Sequence, residues 1–142
     1  MSPDAVFQVA NLLVMPQWLL MIVAPRWSVT QWLVRTLLIP ALLAVLYTYY
    51  IFLGGSKLDF QSFSTLAGVK SLFSQGGAVL AGWIHYLAFD LVAGTFVWRD
   101  SQAKAIPHGF IVLPLFFCFM LGPVGLLLYW LIRVVRTRTV SA

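Results

Sequence analysis

The sequence contains no glutamate. Its acids are Asp4, Asp59, Asp90 and Asp100, and charged residues make up 9% of its 142 residues. A soluble domain carries about a quarter charged residues, and so sparse a set does not cover a water-facing surface. With 61% of the residues hydrophobic, the composition implies an integral membrane protein whose length suits one compact helical domain. Cysteine is as scarce. Cys118 stands alone, which excludes an internal disulfide and a cysteine-based zinc cluster; among apolar neighbours it reads as an inert thiol. Alternation of the barrel-strand kind is missing, so the fold class expected is all-α, with backbone groups satisfied inside each helix. The first residues do not read as a removable signal peptide or as a Ser- and Arg-rich transit sequence, so neither is expected. On that ground the expected setting is a bacterial inner membrane or a thylakoid membrane.

Four long apolar runs are present, at about 5–24, 33–53, 76–98 and 109–132. Each is near the roughly 20 residues that a bilayer core demands. The expectation is a four-helix transmembrane domain without internal repeats. Between the second and third runs, "SKLDFQSFSTLAGVKSLFSQGG" places Phe63, Leu66, Val69, Leu72 and Phe73 at helical spacing. That pattern predicts a short amphipathic helix lying in the interface. Trp18, Trp27, Trp32, Trp98 and Trp130 lie near run ends, as interfacial aromatics do. The net charge of +5 sits at run ends, which suits lipid headgroups and not nucleic acid. Four crossings put both termini on one side, with Lys57, Lys70, Arg133, Arg136 and Arg138. The tail "RVVRTR" then points both termini toward the cytoplasm.

The third run, "AVLAGWIHYLAFDLVAGTFVW", holds the informative exceptions. His85 and Asp90 lie well inside it. A rise of 1.5 Å per residue puts Asp90 roughly 12 Å and His85 roughly 20 Å from the Trp98 end. Level with them by the same count are Asn11, Gln17 and Tyr47, with Phe117 and Cys118 opposite Asp90 and Gly122-Pro123 opposite His85. Ionisable groups at such depth face the bundle interior or a wet cavity and mark functional sites by default. Five residues apart, His85 and Asp90 point about 140° apart on a regular helix, so a direct contact needs a distortion or a water. Trp83 shares the face of Asp90. Pro16 and Pro123 each free a backbone carbonyl, and "GPVG" predicts a kink in the fourth helix beside His85. Asp100 and His108 fall in the loop between the third and fourth runs, where a solvated pair is the plain reading.

Other chemistries fit less well. The spacing of His85, Asp90, Asp100 and His108 is unlike any compact metal motif, so no metal is expected. No facing pair of deep histidines is available for haem. Four spans without repeated broken helices are poor material for a transporter. The same polar residues can also serve as plain helix-to-helix glue.

With these residues in view, the sequence resembles the abscisic-acid-deficient-4-like family of small four-helix membrane proteins. The resemblance rests on "ANLLVMPQWLLM", with Asn11, Pro16 and Trp18; on "HYLAFDLVAGTFVWRD", with His85, Asp90 and Asp100; and on "IPHGFIVLPLFFCFMLGPVGLLLY", with Pro107, His108, Pro114, Gly122, Pro123 and Gly125. It is weak between residues 54 and 75. Plant members are tied to making neoxanthin from violaxanthin, so the resemblance implies a place in xanthophyll metabolism and a carotenoid-like ligand. Such an isomerisation needs a general acid and a general base. Asp90 as acid and His85 as base are the candidates. Asn11, Gln17, Trp18, Tyr47, Trp83, Gly122 and Pro123 are candidate lining residues, and Asp100 and His108 candidate loop-site residues. The alternative is a non-catalytic subunit that binds carotenoid or chlorophyll, or takes part in a larger membrane complex or homo-oligomer, without another cofactor.

Overall fold

The computed structural model describes residues 2–52 and 60–139. Among them there are helices and turns and no strand. Ser2 caps the first helix by accepting from the Ala5 amide (3.3 Å), and Pro3 opens it with its preset φ. This helix, α1, is Pro3–Val23. The chain turns at Ala24-Pro25, and α2 (Ser28–Thr36) folds back, tied by Thr30 Oγ1 donating to Ala24 O at 2.7 Å. Leu37 takes a left-handed conformation (φ 52°), and α3 (Leu38–Phe52) continues. The expected end of the second run, at Leu53 with Gly54-Gly55, lies outside the described residues.

A 3-10 turn (Phe60–Ser64) and the short α4 (Leu66–Leu72) occupy the predicted amphipathic stretch. Phe63 and Leu66 stay exposed there, and Leu72 is buried. The third run is the longest helix, α5 (Gly76–Ala103), and it packs against α1, α3, α6 and α7. It extends past Trp98 because nothing in Arg99 to Gln102 breaks a helix, and Pro107 lies beyond it. Trp98 is buried at 6% exposure, so it is a core residue and not an interfacial one; Trp27, Trp32 and Trp130 are exposed as expected.

The fourth run does not form one crossing helix. It divides into α6 (Gly109–Leu121) and α7 (Pro123–Thr137), which turn back on each other at Gly122. Gly125 of α7 lies against the Pro114 carbonyl and the Cys118 amide of α6, so closely that a β-carbon would collide with both. At the other end of the pair, the Arg136 guanidinium stacks over the Phe110 ring, 4.7 Å from its centroid. Residues 26 positions apart meet, which only a reversal allows. At 13 and 15 residues, these helices are about 20 Å long, short of a hydrocarbon core of about 30 Å. The expected kink is therefore a complete hairpin. Pro123 is its pivot, because a proline tolerated at a first helical position ends α6 and opens α7.

Among the described residues, three helical segments are long and apolar enough to cross a membrane: Pro3–Val23, Ser28–Phe52 (α2 with α3) and Gly76–Ala103. The count is of the described residues, and the expected four crossings are not confirmed by it. The hairpin also changes the placing of the termini. Pro3 and Asp4 line a cleft with Gly76 and Gly77 at the start of α5, whereas Tyr129 and Arg133 of α7 bond to Asp100 near its end. The two ends of the described chain lie at opposite ends of the bundle.

Candidate functional site

The tip of the hairpin carries the site. Asp90 projects from α5 toward Gly122, is 7% exposed, and would clash with any β-carbon at that position. The Gly122 amide and the Tyr86 hydroxyl both act on its carboxyl. Its Oδ2 is buried without a hydrogen-bond partner. Tyr86, one turn away on α5, donates to the Met120 carbonyl at 2.7 Å. Its proton is thereby committed, and its oxygen remains free to accept one from a neutral Asp90. Tyr86 also contacts the Trp83 ring (centroids 5.4 Å apart), which in turn meets Phe7 of α1 at 5.5 Å. Asn11 fixes this aromatic row: its Nδ2 donates to Phe7 O at 2.7 Å and its Oδ1 accepts from Trp83 Nε1 at 3.2 Å. Because α6 and α7 turn back at the level of Asp90, Phe7 and Trp83 stay exposed beyond the tip.

Trp18 is buried over Gly94 and meets Phe119 of α6 edge-on at 5.7 Å. Gln17, with 0% exposure, donates from Nε2 to Thr95 Oγ1 at 3.0 Å, and its Oε1 has no partner. It therefore sits nearer the Ala103 end than Asp90 does. Gly122 is level with Asp90 and not with His85, one turn from the expected place; Pro123 beside it is exposed.

His85 is not part of this cluster. It is exposed, on another face of α5, stacked on Phe89 (4.6 Å between centroids) and tilted toward Tyr47 of α3 (5.5 Å). The expected level match of Tyr47 with His85 is present. The pairing of His85 with Asp90 is not, because five residues along an undistorted helix leave the two on different faces.

Asp100 and His108 do not meet either. Asp100 lies on α5, where Oδ2 accepts from the Tyr129 hydroxyl at 2.5 Å and from Arg133 Nε at 2.9 Å. The side chains of Arg133 and Asp100 are 5% and 13% exposed. The loop reading thus gives way to a largely buried ion pair, and Arg133 is not a free orientation charge. His108 bonds through Nε2 to Ile22 O at 2.7 Å, joining the start of α6 to the end of α1, and its Nδ1 is buried without a partner. Among the described residues no group of three or more His, Cys, Asp or Glu could hold a metal ion. Thr95 and Tyr129 are the residues that reading by run and depth passed over; Tyr86 shares the face of Asp90 in that reading without being given a role. Tyr86 was accessible as the residue four before Asp90, on the same face.

A known sequence pattern runs through all of these elements, matching residues 5–129. The chain belongs to the ABA DEFICIENT 4-like family. Among curated proteins, the chloroplastic protein ABA DEFICIENT 4 of Arabidopsis thaliana is 30% identical over 139 residues, which is 93% of this chain and 62% of that relative. The chain therefore spans less than two thirds of the relative's length. No solved structure matches. Family membership agrees with the resemblance read from the sequence. The relative is chloroplastic, which gives the expected bacterial setting no support.

Proposed function

We propose that the chain is a membrane-embedded protein of xanthophyll metabolism, and that the hairpin tip is a proton-transfer centre for the non-redox isomerisation of an epoxy-carotenoid end group. In this reading three segments cross the bilayer and α6–α7 enters from one side and returns. The observation that carries it is Asp90: a carboxyl, nine-tenths buried, with one oxygen lacking a partner, beside a tyrosine that faces an exposed aromatic row. A buried polar group without a partner is costly, and such a group at membrane depth marks a functional site by default.

The chemistry balances without an oxidant. Neutral Asp90 passes its proton to the Tyr86 oxygen as the Tyr86 hydroxyl turns its own proton from the Met120 carbonyl to the epoxide oxygen, and the carbon–oxygen bond opens to an alcohol. The carboxylate so formed takes a proton from the adjacent polyene carbon, whose electrons complete the allene. One proton enters and one leaves, so the product is an isomer and the acid is regenerated. The aromatic row from Tyr86 through Trp83 to Phe7 offers a flat apolar path for the polyene. Family membership supports the substrate class, through the xanthophyll role tied to its plant members.

The test is to incubate the purified protein with an epoxy-xanthophyll and follow conversion by chromatography. Asp90→Asn is expected to abolish conversion, Tyr86→Phe to slow it by about a hundredfold, and His85→Ala to retain it. Equal conversion by wild type and Asp90→Asn would refute the assignment.

A further inference from the structure

We infer that the cavity around His85 is a second ligand site, separate from the hairpin tip, which takes the oxygen-bearing six-membered end ring of an isoprenoid lipid. The cavity holds about 230 Å³ and is walled by three parts of the chain. Tyr47 and Ile51 come from α3; Phe63, Leu72 and Phe73 from the segment around α4; Ala81, Gly82 and His85 from α5. The small residues on α5 create the space. At Gly82 a β-carbon would strike the Phe73 ring, so any larger residue drives that ring into the cavity.

The polar content of the cavity defines the ligand. His85 and Tyr47 form no hydrogen bond among the described residues, although their rings are held at 5.5 Å from each other and Phe89 fixes the imidazole by stacking. Two polar groups on an otherwise apolar wall call for an occupant with one or two hydrogen-bonding oxygens on a hydrophobic body. The volume accommodates a single ring and not a macrocycle. A hydroxyl or carbonyl on that ring can pair with an imidazole nitrogen, which donates or accepts according to tautomer. The chain attached to the ring leaves through the open side of the cavity. Because His85 lies on a different face of α5 from Asp90, the two sites fill independently.

Two lipids share this chemistry, a hydroxylated carotenoid end ring and a prenylquinone head, and the experiment separates them. The full-length protein in nanodiscs is titrated with radiolabelled 3-hydroxy-β-ionone, with decyl-plastoquinone, and with β-ionone lacking the ring hydroxyl but keeping its side-chain carbonyl. Saturable binding of either oxygen-bearing ring, weakened about tenfold in His85→Leu and in Tyr47→Phe, is the expected result. Gly82→Leu is expected to block binding, with Asp90→Asn binding as wild type does. Retained monodispersity and thermal transition identify folded variants. Binding of the quinone alone assigns the quinone head; preference for 3-hydroxy-β-ionone over β-ionone assigns the xanthophyll ring. Absence of saturable binding, or equal affinity in wild type, His85→Leu and Gly82→Leu, overturns the inference. Epoxide turnover with Asp90→Asn inactive but His85 variants unaffected leaves this site standing or falling on the binding data alone.

Discussion

Gly122 and Asp90 occupy one place in the bundle: the carboxyl of the second fills the space where the first would carry a β-carbon. The hairpin reverses at that glycine, and the acid is sealed by the reversal. The contact ties the turn of α6 into α7 to the candidate site on α5, so the two are expected to fail together.

Gly122→Ala is expected to destabilise the detergent-solubilised protein by about 1–3 kcal/mol, the usual range for overpacking a filled site, and to lower conversion in parallel. Gly76→Ala and Gly109→Ala, where nothing lies within reach of a β-carbon, are the controls and should change the thermal transition little. A fully stable and active Gly122→Ala would show that the contact is not needed.

Asp100 and Arg133 should behave as a coupled pair. Each single change, Asp100→Asn or Arg133→Met, breaks a largely buried ion pair from one side and is expected to cost about 3–5 kcal/mol. The double variant should be less impaired than the two singles predict, because no lone charge remains. Strict additivity in thermal unfolding would deny the coupling.

Gln17 and Thr95 should show the same logic with neutral groups. Gln17→Leu strands the Thr95 hydroxyl and Thr95→Val strands the Gln17 amide, so each is expected to cost about 1 kcal/mol. Together they should come close to neutral, since Gln17 Oε1 lacks a partner already.

The hairpin makes a prediction about sidedness. In a Cys118→Ala background, Ser2→Cys and Thr139→Cys should react with a membrane-impermeant maleimide from opposite faces of the membrane. Labelling of both from one face would restore a fourth crossing. Among the described residues, Arg26, Arg35, Arg99, Lys104, Arg133, Arg136 and Arg138 gather at the Ala103 end of the bundle, against Lys70 at the other. That excess should place the Ala103 end on the cytoplasmic or equivalent side.

What the sequence reached and what it missed follow from the range of each interaction. Helical runs and the depth of Asn11, Tyr47 and Asp90 are local properties, readable from apolar length and a fixed rise per residue. The separation of His85 from Asp90 was equally local, a matter of 100° per residue. "GPVG" announced a break in the fourth run, but a Gly-Pro step with a second glycine two residues on fits a kink and a reversal alike. The difference is decided by Gly125 meeting Pro114 and Cys118, a contact between segments that no local pattern encodes.

The same holds for the charges. Counting four crossings set Asp100 and Arg133 on opposite sides of a membrane, and only the reversal brings them within 2.9 Å. By itself the sequence determined a helical chain with lipid-length segments and an acid deep in one of them, because hydrocarbon forces backbone pairing and penalises charge wherever it sits. The tertiary structure alone decided which face of α5 that acid takes, what seals it, and where the chain emerges, because these depend on how closely glycines let one helix approach another.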